Sequence, residues 1–191
     1  TNPNGVYGAT KLAGEIAMQN INPKDSIIIR TSWVYSSFGA NFVKTMLRLG
    51  KEKDSLRVIY DQVGTPTYAR DLARAILQII QHSKFLELNS DTPVVKTKEG
   101  CNIQNSSTHT EIYNFSNEGA VSWYDFAKEI MRMAKIDCSI NPIETKEYPT
   151  LAQRPHYSLL NKSNIKEEFN LTIPYWKDSL NECLKKMGEK K

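Results

Sequence analysis

The chain has 191 residues, enough for one domain or slightly more with a real core. Hydrophobic residues make up 40% and charged residues 24%, an ordinary balance for a soluble globular protein. The net charge of +4 sits largely in the tail Lys185–Lys191, which reads as a solvated end; no basic stripe with interleaved aromatics argues for nucleic acid, and no apolar run reaches membrane-span length.

No signal peptide is apparent. Cys101, Cys138 and Cys183 are widely spaced and form no Cys-x-x-Cys. They point to a reducing, cytoplasmic setting, with neither a disulfide framework nor a zinc site.

In chain order, the turn signals Asn2-Pro3 and Asn4-Gly5 predict a helix that continues through Lys11–Gln19, with Leu12, Ile16 and Ala17 on its apolar side. Tyr7 and Lys11 are four apart and share one face of that helix. A free phenol titrates near about 10 and an ammonium near about 10.4. Fixed side by side, the ammonium favours the phenolate, and the pair becomes a usable general acid/base. The spacing alone is weak, because Tyr124 and Lys128 repeat it inside what reads as a packed helix edge. The setting of Gly8, Ala9 and Ala13 distinguishes the first pair: small residues let a flat ligand lie close.

Pro23 ends the helix. Ser26–Arg30 is a β-branched run expected to be a parallel strand covered on both faces. It leads into Thr31, Ser32, Trp33 and Tyr35, the polar and aromatic groups expected at the carboxyl rim of an open α/β sheet. Asn41–Lys51 reads as an amphipathic helix and Leu56–Tyr60 as a strand. Asp61–Tyr68 reads as a polar turn, with Thr65 or Thr67 capping a helix over Ala69–His82 and Asp71 in its first turn. His82 is read as structural.

Ser83–Thr110 is irregular and reads as a hairpin or partly mobile insertion, with His109 given no role. Glu111–Phe115 is a strand. Ser122 and Asp125 form a capping-box-like start to a helix reaching about Ala134. Cys138–Ile143 is a strand and Leu151–Ser158 an extended loop. In that loop Arg154, held extended before Pro155, is a candidate phosphate fork or a surface ion-pair partner. A short helix over Ser163–Phe169 and a last one over Tyr175–Lys186 follow.

The ordered blocks Asn4–Glu15, Arg30–Tyr35, Asn41–Val43, Asp61–Thr67, Ser122–Ala127 and Arg154-Pro155 with Ser158 resemble the C-terminal part of the dTDP-4-dehydrorhamnose reductases. These are extended short-chain dehydrogenase/reductases. The likeness covers nearly the whole chain and is poorest over residues 83–110. It implies an α/β, Rossmann-like fold with a small α/β substrate-binding domain. Residues 1–35 would close the Rossmann-like part and carry the catalytic helix. Residues 36–191 would be mainly substrate-binding, with Rossmann elements returning at 65–82 and 111–116.

The resemblance also implies reduction of a dTDP-sugar ketone by NADPH or NADH. Tyr7 would be the proton donor and Lys11 the ribose-binding partner that eases its ionisation, both at the cofactor. Trp33 would sit at the sugar, with Arg154 beside the substrate. The sequence leaves the oligomeric state open: some members form a homodimer with help from Mg²⁺ held by glutamates, none of which is assignable here. The chain begins without Met and contains no Gly-x-Gly-x-x-Gly. The expectation is therefore a fragment that is inactive alone. The rival readings are a nucleotide-sugar 4-epimerase or dehydratase of the same family, and a non-catalytic binding subunit of the same fold.

Overall fold

Helices alternate with short strands over residues 3, 5–23, 26–82, 110–148, 150 and 154–188, which the computed structural model describes. The expectations for residues 83–109, including His109 and the insertion, lie outside the described residues.

Helix α1 (Val6–Ile21) follows Gly5, whose φ of 107° is a left-handed value that glycine adopts without Cβ strain. It ends at Asn22, just before Pro23. Its expected apolar side is not covered by the described residues: none of its side chains is buried, and Ile16 and Met18 are 47% and 45% exposed.

Strand β1 (Ile27–Thr31) pairs in parallel with β6 (Glu111–Phe115), with Ile27 opposite Glu111 and Thr31 opposite Phe115. The parallel pairing agrees with the β-branched run, but burial on both faces does not. Ile27 and Ile29 pack on a core cluster while Ile28, alternating to the other face, joins neither cluster; all three are half-buried.

Two short pairings join stretches that the sequence marked as a running-on strand end, a polar turn and a loop. Strand β2 (Val34–Tyr35) pairs in parallel with β5 (Thr67–Tyr68). Strand β4 (Val63–Gly64) pairs antiparallel with β7 (Val121–Ser122). Strand β3 (Ser55–Ile59) pairs in parallel with β8 (Ser139–Ile143).

Helix α2 (Phe42–Glu52) is capped by Asn41, whose side chain accepts from the Lys44 amide at 3.2 Å. Helix α3 (Ala69–Gln81) has no side-chain cap. The two threonines expected to cap it are used elsewhere: Thr65 Oγ1 donates to the Gly119 carbonyl and Thr67 Oγ1 accepts from Thr31. His82 follows α3 with its ring edge-on to Phe169. Helix α4 (Trp123–Ala134) starts as expected, with the Asp125 amide donating to Ser122 Oγ at 3.0 Å. A 3-10 turn (Thr145–Glu147), α5 (Ser163–Phe169) and α6 (Trp176–Gly188) complete the order. The tail expected to be solvated is helical to Gly188, and Met187 packs on the core.

Two apolar clusters result. One gathers Tyr35, Val43, Phe126, Ile130, Trp176 and Leu180 between α2, α4, α6 and the short strands. The other joins Ala75 and Ile79 of α3 to Tyr113 and Phe115 of β6 and to Ile165 and Phe169 of α5. Burying a side chain of this size stabilises by about 1.5–3 kcal/mol.

Between the clusters lies a buried polar knot. Asn117 Nδ2 donates to Asp71 Oδ2 and to Ser179 Oγ, both at 2.8 Å, and Ser179 Oγ donates to Asp71 Oδ2 at 2.5 Å. The knot ties α3, the end of β6 and α6 together. Among the described residues, no helix is long and apolar enough to cross a membrane.

Candidate active site

Tyr7 and Lys11 stand on the first turns of α1, as the four-residue spacing requires. Lys11 Nζ lies 5.4 Å from the centroid of the Tyr7 ring, so the ammonium sits over the ring face. Tyr7 is 74% exposed. The internal control has the same internal geometry, with Lys128 Nζ 5.4 Å from the Tyr124 centroid. The surroundings separate the two pairs. Tyr124 packs partly buried against the core, and Lys128 edges a charged depression lined by Glu129, Arg132 and Lys177. Tyr7 projects into open space on a helix with no buried residue.

Helix α1 is fastened to β1 through charge. Arg30 Nε donates to Glu15 Oε1 at 2.7 Å and Arg30 Nη2 to Glu15 Oε2 at 2.5 Å. These bonds from Arg30 hold the Glu15 carboxyl below the usual range. The fork therefore orients the helix that carries Tyr7 and Lys11.

Trp33 follows β1 with φ 49°, a left-handed value for a bulky residue that costs about 1–2 kcal/mol. Its carbonyl accepts from the Thr67 amide at 3.2 Å. Its ring stacks on Trp123, with centroids 3.6 Å apart and planes at 15°. Gly64 lies beneath it: a Cβ there would come within 2.8 Å of Trp33 Cζ2 and 2.7 Å of Ser158 Oγ. The Phe42 ring packs on Trp123 too, with centroids 4.6 Å apart and planes at 54°. No ring contact or hydrogen bond joins Trp33 to Tyr7 or Lys11 among the described residues.

The other rim residues behave differently from expectation. Tyr35 is 1% exposed and stacks on Tyr68 inside the core, because the β2 register turns Val34 outward and Tyr35 inward. Burial drives its phenol pKa far upward. Thr31 and Ser32 are occupied in knitting the strand end to residues 65–67: Thr31 Oγ1 donates to Thr67 Oγ1 and Ser32 Oγ to the Thr65 carbonyl. Arg154 is exposed and pairs with no carboxylate among the described residues.

Trp123 and Gly64 are the neighbours of Trp33 that sequence reasoning passed over. Trp123 follows the Ser122 cap and reads as helix packing; nothing local signals that it meets a tryptophan 90 residues earlier. Among the described residues, no group of three or more His, Cys, Asp or Glu is gathered to hold a metal ion.

The family described as RmlD substrate binding domain matches residues 1–92 and 94–189. A dTDP-4-dehydrorhamnose reductase of Escherichia coli strain K12 is 39% identical over 193 residues, covering 98% of this chain and 58% of that protein. The crystal structure of a dTDP-4-dehydrorhamnose reductase from Clostridium acetobutylicum superposes with TM-score 0.80 at 39% identity, over 98% of this chain and 57% of that one. The reductase of Bacillus anthracis, solved in complex with NADP, superposes with TM-score 0.78 at 33% identity, over 97% of this chain and 57% of that one. The chain thus spans little more than half the length of these relatives. Its fold is the mixed α/β, Rossmann-like arrangement of extended short-chain dehydrogenase/reductases.

Proposed function

The chain belongs to the RmlD substrate binding domain family, and from that premise we propose that it is the substrate-binding and proton-donating part of a bacterial dTDP-4-dehydrorhamnose reductase. The proposed substrate is dTDP-4-dehydro-L-rhamnose, the product dTDP-L-rhamnose, and the setting the cytoplasmic synthesis of surface polysaccharide. The observation that carries the reading is the uncovered Tyr7–Lys11 pair on α1, in a chain the family matches almost end to end.

NADPH, when bound, supplies the hydride that converts the C4 ketone to an alcohol. The residues present fit such a cofactor: a phenol and an ammonium share one open helix face, with Gly8 between them. Tyr7 Oη gives its proton to the ketone oxygen as the carbonyl π bond breaks and negative charge develops there. Lys11 would hold the nicotinamide ribose, and its ammonium stabilises the phenolate left on Tyr7. Trp33 offers an aromatic face to the sugar, and the Arg154 guanidinium, exposed and without a carboxylate partner among the described residues, suits the diphosphate. The chain itself carries no glycine-rich phosphate loop. We therefore place the substrate and the proton donor on this chain, and expect it to show no turnover alone.

Calorimetric titration with dTDP-L-rhamnose, with UDP-galactose in parallel, tests the assignment, alongside an NADPH-oxidation assay of the chain. Binding of the dTDP-sugar in preference to the UDP-sugar, without NADPH consumption, is the expected pattern. Preference for the UDP-sugar would move the reading to a 4-epimerase. Full turnover by this chain would overturn the proposed division of labour.

A further inference from the structure

We propose that Trp123 is a positioning residue that holds Trp33 as a rigid platform for the sugar ring, with Gly64 as the second support. The proposal rests on the assignment of Trp33 to the dTDP-sugar.

Three observations converge on it. First, the two indoles stack at 3.6 Å and 15°, close to full face contact, so one face of Trp33 is spent on Trp123. Second, Trp33 holds a left-handed backbone, φ 49°. A strained conformation of a bulky residue persists only where surrounding contacts over-determine it. Here those contacts are the Thr67 amide on its carbonyl and the stack on its ring. Third, the antiparallel β4–β7 pairing sets Gly64 opposite Val121 and Val63 opposite Ser122, so it delivers Gly64 and Trp123 together beneath Trp33. Gly64 has no room for a Cβ, which would collide with the Trp33 benzene edge at 2.8 and 2.9 Å.

A free tryptophan side chain would sample several rotamers, and a sugar stacking on it would bear the entropy of stopping that motion. Held by Trp123 and Gly64, Trp33 is already stopped, so binding energy from the sugar is not lost to ordering the ring. Trp123 need not touch the sugar; its action is through Trp33. The Phe42 ring, its centroid 4.6 Å from that of Trp123 and tilted by 54°, packs on Trp123 as well.

The test uses the chain and three variants, Trp123→Ala, Trp123→Phe and Gly64→Ala, with dTDP-L-rhamnose as the probe. Affinity is measured by calorimetry, and the indole–indole stack by its exciton couplet in far-ultraviolet circular dichroism. Wild type is expected to show the couplet and to bind. Trp123→Ala should lose the couplet and bind about tenfold more weakly. Trp123→Phe should lose the couplet yet stay within about threefold of wild-type affinity, because a flat ring still supports Trp33. Gly64→Ala should alter the couplet and weaken binding although both tryptophans remain.

The Phe rescue is the outcome that a merely structural role would not give. A folded Trp123→Ala variant with wild-type affinity overturns the proposal, as does a Phe variant no better than the Ala one. If Trp123→Ala fails to fold, Gly64→Ala decides: wild-type affinity there overturns the proposal, and weakened binding with an altered couplet supports it. A wild-type chain that shows the couplet but binds no dTDP-sugar overturns the functional reading itself, and the positioning role with it.

Discussion

Arg30 and Glu15 form a two-bond fork, Nε to Oε1 at 2.7 Å and Nη2 to Oε2 at 2.5 Å, that fastens the helix bearing Tyr7 to the first strand. Helix α1 buries none of its side chains, so this fork is a large share of what orients it. The Glu15 pKa is lowered from 4.5, chiefly by hydrogen bonding to Arg30. A lowered folded pKa contributes stability that is present above the unfolded value and lost as pH falls through the folded one. The protection of α1 amides relative to their intrinsic exchange rates should therefore fall as pH drops below about 4. Glu15→Gln should abolish that pH dependence of protection and loosen α1 at neutral pH by about 0.5–1 kcal/mol, the range for a partly exposed pair. Protection of α1 in the Gln variant that still varies with pH as in wild type would contradict this role.

Two tyrosines with the same spacing to a lysine should differ sharply in function. In a catalytically competent reductase polypeptide containing this chain, Tyr7→Phe is expected to lower kcat by about 10²–10⁴-fold, the usual worth of a positioned acid. Tyr124→Phe should change kcat by less than about twofold, since its pair lies at the edge of α4 beside a charged depression. Steady-state kinetics of both variants at one pH checks the contrast. Equal effects would mean that the open setting of Tyr7 carries no catalytic meaning.

Asn117 is fully buried, and its side chain satisfies four groups: the Tyr68 amide donates to its Oδ1, while its Nδ2 donates to Asp71, Ser179 and the Pro174 carbonyl. Asn117→Leu leaves the Asp71 carboxylate and the Tyr68 amide each short of a partner. The expected loss is about 2–4 kcal/mol in urea unfolding. Asp71→Asn should cost less, because a neutral amide in that place needs less compensation.

Cys183 is fully buried beside Tyr68, and burial pushes its thiol up to about 11. It should resist alkylation at pH 8 in the folded chain and react at once in denaturant. Peptide mapping after iodoacetamide treatment distinguishes it from the other cysteines. Rapid native-state labelling at Cys183 would show that α6 opens readily.

In the aromatic core, Phe126 is fully buried against Tyr35, Phe42 and Trp176. Phe126→Ala should cost about 3–5 kcal/mol, read as a shifted urea midpoint with an unchanged slope.

Local pattern was enough for the long elements. The amphipathic periods of α2, α3 and α4, the β-branched run of β1 and the Ser122 cap are written in neighbouring residues, because helices and caps are decided within a few positions. The Tyr7–Lys11 pair was equally legible, since the helical repeat alone sets its geometry. What its setting means was not, for the same repeat gives Tyr124 and Lys128 an identical spacing and an identical 5.4 Å. Only the tertiary structure leaves the first pair open on α1 and packs the second against a core. Tyr35 and Trp33, two residues apart, looked alike at the strand end. The β2–β5 register buries Tyr35, and the β4–β7 pairing brings Gly64 and Trp123 under Trp33. These pairings are two residues long and join segments 30 to 60 positions apart. Nothing in a local window can encode them, and they decide that Tyr35 is fully buried in the core while Trp33 stays half-buried at its edge, stacked on Trp123.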